Sequence, residues 1–274
     1  MKTHPNELAK ITDECIDFIT KVYTTAGKKK AVIAVSGGID SAVSVSLLTK
    51  SLGPKNVIPV LLPYKNQDMA DAKRILRWNN IEETQWQEID IEPLVSSVAK
   101  MRKIEQTDRL RLGNVMARVR MILVYDLAKE NNALVCGTEN KSEKYLAYFT
   151  RFGDEASDLE PIQDLFKTEV QALAAFLNIP RSILEKAPSA GLWQGQSDEQ
   201  ELGFTYKDAD MVLEEYQKYH NHDADDTLDN LDTPELVQSI SQKVAISEQT
   251  ITAVLTRVKA SAFKHEVPYG LIFN

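Results

Sequence analysis

Two cysteines, Cys15 and Cys136, are all that the 274 residues contain, and they form no CxxC pair. That excludes a disulfide framework and a cysteine-based zinc site. Histidine is sparse too, with four in the chain, and no nucleophile–base–acid triad is recognisable. No run approaches the ~18 apolar residues of a membrane span, and Met1-Lys2-Thr3-His4-Pro5 begins no apolar signal core. These absences predict a cytoplasmic protein with no membrane partner. An excess of positive charge is also missing: 32 Lys and Arg stand against 40 Asp and Glu, a net charge of -8. Nucleic-acid-binding domains are usually basic, so no nucleic-acid partner is expected, although a few local cations suffice for a small anion. There is no internal repeat and no low-complexity tract. The two commoner nucleotide loops, GxxxxGK with a following Ser or Thr and GxGxxG, do not occur.

What is present is alternation. Residues 6–25 predict an amphipathic helix, with Leu8, Ile11, Cys15, Ile16, Phe18 and Ile19 apolar. Ala31-Val32-Ile33-Ala34-Val35, set between three lysines and two glycines, predicts a buried strand. Helix 41–51, strand 57–62, helix 68–79, strand 86–91, helix 93–103, a long helix 113–130 and strand 133–137 follow. Strands alternating with helices imply an α/β fold, a parallel sheet flanked by helices. Beyond residue 147 two irregular stretches, 147–166 and 186–206, lie among helices near 167–177, 180–186, 206–219, 233–244 and 247–262. Long loops in a compact fold are commonly functional. The chain reads as one unit over residues 1–274, with extra helices at its C-terminal end.

Strand 31–35 runs directly into Ser36-Gly37-Gly38-Ile39-Asp40-Ser41 and then into a helix. The start of a helix presents unpaired N–H groups and a partial positive charge, which suit phosphate oxygens. Two glycines let the backbone approach an anion closely, and Ser36 and Ser41 add hydroxyl donors. The plain alternative is a strand-to-helix turn in which Asp40 merely complements the helix dipole. The six-residue string resembles the pyrophosphate loop of the N-type ATP pyrophosphatases, which implies a Rossmann-like, adenine nucleotide alpha hydrolase-like fold and cleavage of ATP to AMP and pyrophosphate.

Four further stretches narrow the resemblance. Gly113-Asn114-Val115-Met116-Ala117-Arg118-Val119-Arg120-Met121 resembles the GNxxARxRM helix of NAD synthetases. Gly137-Thr138-Glu139-Asn140-Lys141-Ser142-Glu143 resembles their GTxxxxE segment. Tyr148-Phe149-Thr150-Arg151-Phe152-Gly153-Asp154, with Asp158, Pro161 and Leu165-Phe166-Lys167-Thr168, is similar to their substrate-binding stretch. Pro188-Ser189-Ala190-Gly191-Leu192-Trp193, followed by Gly195-Gln196-Ser197-Asp198-Glu199, is similar to their second mobile loop. The matches fall in order over about residues 8–268. Only about 30 residues precede the first strand, so no glutaminase domain is expected and free ammonia is the expected nitrogen source.

The resemblance implies a ligase that converts deamido-NAD, ATP and ammonia to NAD, AMP and pyrophosphate through an NAD-adenylate. It implies ATP contacts at Ala34, Val35, Ser36, Gly37, Gly38, Ile39, Asp40, Ser41, Thr138, Lys167 and Ser189. Deamido-NAD contacts are implied at Arg118, Arg151, Asp158, Phe263 and Lys264, with Phe263 standing where some relatives have His. Asp40 and Glu143 are implied as ligands of Mg2+, and Asp40, Glu143 and Lys167 as the catalytic set. Without the resemblance, Glu143 reads as a solvated helix residue, Lys167 as a surface lysine and Thr138 as a helix N-cap. Arg118 and Arg120, two apart on a helix, point roughly 200° apart, so one of them faces the site. The segment His220-Asn221-His222 with Asp223, Asp225 and Asp226 reads as a solvated loop rather than a metal site. The long helix 113–130 is apolar on nearly every side, which predicts a second covering surface; a homodimer with the dinucleotide sites near its interface is expected, the plain alternative being that the C-terminal helices at 233–262 wrap this helix. The rival readings are a tRNA-modifying adenylating enzyme of the same loop class and a non-catalytic nucleotide sensor.

Overall fold

In the computed structural model, which describes residues 2–193, 195–220 and 231–265, the chain enters through helix α1 (Pro5–Ala26). Glu7 accepts the His4 N–H at 3.2 Å, and Gly27 ends the helix in the left-handed conformation. Its buried stripe, Leu8, Ile11, Cys15, Ile19 and Tyr23, repeats at three- and four-residue intervals. Strand β1 (Ala31–Ala34), α2 (Ile39–Leu52), β2 (Val57–Leu61), α3 (Ala70–Trp78), β3 (Gln87–Glu88), α4 (Glu92–Arg102), α5 (Arg109–Glu130) and β4 (Leu134–Val135) follow. The strands form one parallel sheet in the order β3-β2-β1-β4, as the alternation predicts.

Successive side chains of a strand point to opposite faces, and β1 shows the consequence. Ala31 and Ile33 join the core built with α1 and α2, whereas Val32 joins the core beneath α4 and α5. A strand buried on both faces reads as a continuous apolar run. All four strands are shorter than the sequence predicts, β1 and β2 by one residue and the other two by more. The expected strand 86–91 is reduced to Gln87–Glu88. Ile89 and Ile91 still donate to the carbonyls of Leu61 and Pro63, but Pro63 has no N–H to return. The expected strand 133–137 narrows to Leu134–Val135, after which Cys136 forms an isolated bridge with Leu159.

Past β4 the chain is helical: α6 (Lys141–Leu146), α7 (Lys167–Phe176), α8 (Arg181–Leu184), α9 (Asp198–Leu202), α10 (Tyr206–His220), α11 (Pro234–Ser241) and α12 (Glu248–Ser261). Helix α9 lies inside the stretch read as irregular. Three acidic residues in its first turn and Gly203 beyond its end favour that short helix. Helices α10, α11 and α12 enclose a third core with Leu146 and Phe166, and so pack on α6 and one another rather than around α5. Ile122 of α5 stays 58% exposed. His220-Asn221-His222 falls outside the described residues apart from the helical backbone of His220. No described helix is long and apolar enough to cross a membrane.

The strand order places a topological switch. From β1 the chain first adds β2 and β3 on one side and then returns to add β4 on the other. The loops after β1 and β4 therefore part at adjacent carboxyl ends, the place where open parallel sheets bind ligands.

Candidate active site

The loop after β1 carries the Ser36–Ser41 string. Gly38 is the N-cap of α2 and no side chain caps that helix, so its first N–H groups point toward the mouth of the sheet. Ser36 Oγ accepts the Gly38 N–H at 3.2 Å, and Ser41 Oγ donates to the Gly38 carbonyl at 3.0 Å. Gly37 is required twice over: its φ is +80°, and a Cβ there would lie 2.7 Å from the Ala72 nitrogen. Asp40 stands in the first turn of α2, where the helix dipole favours a negative charge.

The loop after β4 meets it through Asn140, which is fully buried. Its Nδ2 donates to Asp40 Oδ1 at 2.9 Å, while its Oδ1 caps α6 by accepting the Glu143 N–H at 3.0 Å. Asn140, not Thr138, is thus the N-cap of this helix. One side chain thus holds the Asp40 carboxylate and the start of the helix that carries Glu143, and Lys167 joins the two acids. Its Nζ lies 2.6 Å from Asp40 Oδ2 and 2.9 Å from Glu143 Oε1, with the Tyr206 ring 5.1 Å away. The Lys167 side chain is only 3% exposed, so it is no surface lysine. Burial works against its charge, but Asp40 and Glu143 outweigh that and hold the ammonium well above the usual lysine range. Burial likewise raises Glu143 above the usual carboxylate range, against the pull of Lys167.

A buried layer holds this cluster in place. Asp210 of α10, with no exposure, accepts a short hydrogen bond from Ser142 Oγ. Its other oxygen takes the Thr168 N–H at 2.9 Å and the Thr168 hydroxyl at 2.8 Å, and Ser142 Oγ accepts the Lys167 N–H at 2.8 Å. Asp210 therefore ties together the residues next to Glu143 and Lys167. Asp198 anchors the loop over the mouth: it accepts the Ala190 N–H at 2.9 Å and the Tyr148 hydroxyl at 3.1 Å. That loop carries Ser189, exposed, whose Oγ accepts the Gly191 N–H at 3.1 Å.

The residues implied for the dinucleotide gather beside this cluster with one exception. Arg118 is exposed and donates through Nη2 to the Arg151 carbonyl at 3.2 Å. The Arg151 guanidinium lies 5.6 Å from the Phe152 ring and 5.9 Å from the Phe263 ring, and both rings are largely exposed. Lys264 Nζ donates to the carbonyls of Ala147 and Phe149, each at 2.7 Å. Arg120 points elsewhere, to the Leu62 carbonyl and Gln67, as the helical spacing requires. Asp158 is the exception, since its Oδ2 accepts the Val135 N–H at 2.7 Å and so holds β4.

For a divalent cation, the donor set is two carboxylates. Among the described residues no group of three or more His, Cys, Asp or Glu could hold a metal. Asp40 and Glu143 nevertheless already share one cation, the Lys167 ammonium, between their hard oxygens. Mg2+ commonly takes one or two carboxylates together with substrate phosphates and water, so this pair fits it. Sequence reasoning missed Asn140, Asp198 and Asp210 as parts of the site. Asn140 stands inside the quoted Gly137–Glu143 segment, but only the fold shows that it reaches Asp40.

A family model described as NAD synthase matches residues 11–268. The chain is similar to the NH(3)-dependent NAD(+) synthetase of Pyrococcus furiosus, with 37% identity over 262 residues covering 95% of this chain and 93% of that one. Among solved structures it is similar to the NH3-dependent NAD synthetase of Campylobacter jejuni, at TM-score 0.71 and 29% identity, covering 97% of this chain and 99% of that one. It is also similar to an NMN synthetase of Francisella tularensis, at TM-score 0.79 and 30% identity with the same coverage.

Proposed function

This chain belongs to the NAD synthase family and is an ATP-dependent, ammonia-using NAD synthetase, and we propose that the Asp40–Lys167–Glu143 cluster is where it adenylates deamido-NAD. The observation that carries this reading is the meeting of the phosphate-type loop with two half-buried carboxylates and a buried ammonium at the switch between β1 and β4.

The loop Ala34–Ser41 and the start of α2 receive the β- and γ-phosphates of ATP, with Thr138 and Ser189 at the rim. Arg118, Arg151, Phe263 and Lys264 receive deamido-NAD, with Asp158 shaping that side through β4. A nicotinate carboxylate oxygen attacks the α-phosphorus, and the bond to pyrophosphate breaks. Lys167 stabilises the negative charge that develops on the phosphate oxygens, in a setting already ordered for it. Asp40 and Glu143 would hold Mg2+, which when bound neutralises charge on the bridging and leaving oxygens. Ammonia then attacks the acyl carbon of the NAD-adenylate and AMP departs. No protein nucleophile is needed: activation comes from adenylation, and the chain supplies positioning and charge. The loops 147–166 and 186–206 shield the adenylate from water. The chain works as one synthetase unit, and as a homodimer that covers the exposed face of α5 near Arg118.

Incubation with ATP, Mg2+, an ammonium salt and either deamido-NAD or nicotinate mononucleotide tests the assignment. The expected result is NAD, AMP and pyrophosphate, with deamido-NAD the better substrate. ADP and phosphate as products, or a preference for the mononucleotide, would overturn it.

A further inference from the structure

Glu139 lies between the two halves of this site and has no task in the steps above. It is 8% exposed, yet its buried Oε1 has no hydrogen-bond partner among the described residues. A buried carboxylate oxygen without a donor is costly. Its neighbour is a second acid. The Glu139 N–H donates to Glu160 Oε2 at 2.9 Å, and Ser157 Oγ donates to Glu160 Oε1 at 2.8 Å. Glu160 comes this close because residue 137 is glycine: a Cβ there would sit 1.7 Å from Glu160 Oε1.

The surrounding charges are nearly all negative. Glu143 of the adenylation cluster acts on Glu139 from one side, and Asp154 and Glu155 from the dinucleotide side. Lys264 is within electrostatic range, but its ammonium is committed to two backbone carbonyls. Burial and the charge of Glu160 push the Glu139 carboxyl up to about 8, and burial pushes Glu160 up to about 8. Such a position favours a small cation that brings its own N–H donors. Glu160 also lines a cavity of about 680 Å³ shared with Cys15, Lys144, Tyr145 and His265. Lys2, Glu14 and Phe18, exposed, also line it. Neither the phosphate-loop residues nor Glu139 line it, so it approaches Glu160 from solvent on a side separate from the ATP mouth.

We infer that Glu139 and Glu160 form the ammonium site, and that Glu139 Oε1 accepts the proton that turns ammonium into the attacking ammonia. The inference rests on the adenylation reading above. One N–H bond of ammonium breaks and the proton passes to Glu139. The freed electron pair forms the C–N bond at the acyl carbon, and the carbon–oxygen bond to AMP breaks, its electrons leaving with AMP. The nitrogen loses a second proton to water, and Glu139 returns its own to solvent by way of Glu160 and the cavity.

The test separates the two half-reactions in the full-length enzyme. Pyrophosphate exchange into ATP with deamido-NAD, without ammonium, reports adenylation; NAD formation against ammonium concentration reports capture. In Glu139→Gln, exchange should persist with KM for ATP and deamido-NAD unchanged, while kcat/KM for ammonium falls about 100-fold, the scale of a lost general base. The rise of that parameter toward pH 8 should vanish. In Glu160→Gln, which keeps the shape and removes a neighbouring charge, that rise should move to lower pH. Normal ammonium kinetics in both variants, or an equal loss of exchange and capture, would overturn the inference. If Glu139→Gln does not fold, the pH shift in Glu160→Gln decides alone. No exchange in the unaltered enzyme would instead refute the adenylation reading.

Discussion

The ammonium of Lys167 lies 2.6 Å from the carboxylate of Asp40, which stands 127 residues earlier in the chain. The contact joins the start of α7 to the start of α2, and the second carboxylate, Glu143, completes an arrangement of one buried ammonium and two half-buried carboxylates. Buried ion pairs are poor sources of net stability, but removing one partner leaves an uncompensated charge. The cluster is therefore better explained by the adenylation proposed for this site than by stability.

Lys167→Met should expose that imbalance. Asp40 and Glu143 would face each other without a cation, and the expected loss is about 3–5 kcal/mol in urea unfolding. Mg2+ without nucleotide should then raise the melting temperature of the variant more than that of the unaltered protein, since the ion restores the missing charge. A variant of normal stability, or one indifferent to Mg2+, would show that the two carboxylates do not form a cation site.

Asp210 makes a positional prediction. It receives Ser142 Oγ, the Thr168 N–H and the Thr168 hydroxyl, all inside the protein. Asp210→Ala leaves these donors unmatched and should cost about 2–4 kcal/mol. Because Ser142 and Thr168 adjoin Glu143 and Lys167, kcat should fall while KM for deamido-NAD changes little. An equal loss in both would place Asp210 outside the alignment of the cluster.

The Glu139–Glu160 pair sets a pH dependence of stability. Both carboxyls rise from an ordinary 4.5 to about 8 in the fold, so the folded protein disfavours their charged forms. Their contribution is fully present below pH 4.5 and is lost as pH climbs from there to about 8. Glu160→Gln should flatten the fall and make the protein more stable than the unaltered chain at pH 8, by at least about 1 kcal/mol. Denaturant midpoints measured across that range decide the matter; parallel curves for the two proteins would mean the pair does not titrate as described.

Arg118→Ala should raise KM for deamido-NAD by about tenfold or more, the scale of a lost charge-assisted hydrogen bond, with KM for ATP unchanged. Among the described residues Arg118 donates to a single backbone carbonyl, that of Arg151, and its exposure leaves the guanidinium open to a ligand. A rise confined to KM for ATP would reassign it.

Much of the frame was readable from the residues. The run 31–35 and the glycines after it announce a buried strand entering a helix, because that pattern leaves few other conformations. The opposed directions of Arg118 and Arg120 follow from helical geometry alone. The strand at 86–91 was over-read because its apolar spacing continues to Ile91, whereas Pro63 on the neighbouring segment ends the ladder. Asn140, Asp198, Asp210 and the Glu139–Glu160 pair were not legible as site components. Each acts across long sequence separations: Asn140 on Asp40, Asp198 on Ala190 and Tyr148, Asp210 on Ser142 and Thr168. A single polar residue carries no local signal of the partner it meets. Lys167 was assigned through family resemblance, and only its burial shows why an alternative as a surface lysine does not hold.

In the proposed reaction the Asp40–Lys167–Glu143 cluster joins the nicotinate carboxylate to the α-phosphate of ATP. Deamido-NAD labelled with heavy oxygen in that carboxylate tests it directly. One labelled oxygen should appear in AMP for every NAD formed, and Asp40→Asn should slow that transfer about 100-fold or more while the protein stays folded. Unlabelled AMP accompanying NAD formation, or normal transfer in Asp40→Asn, would contradict the account.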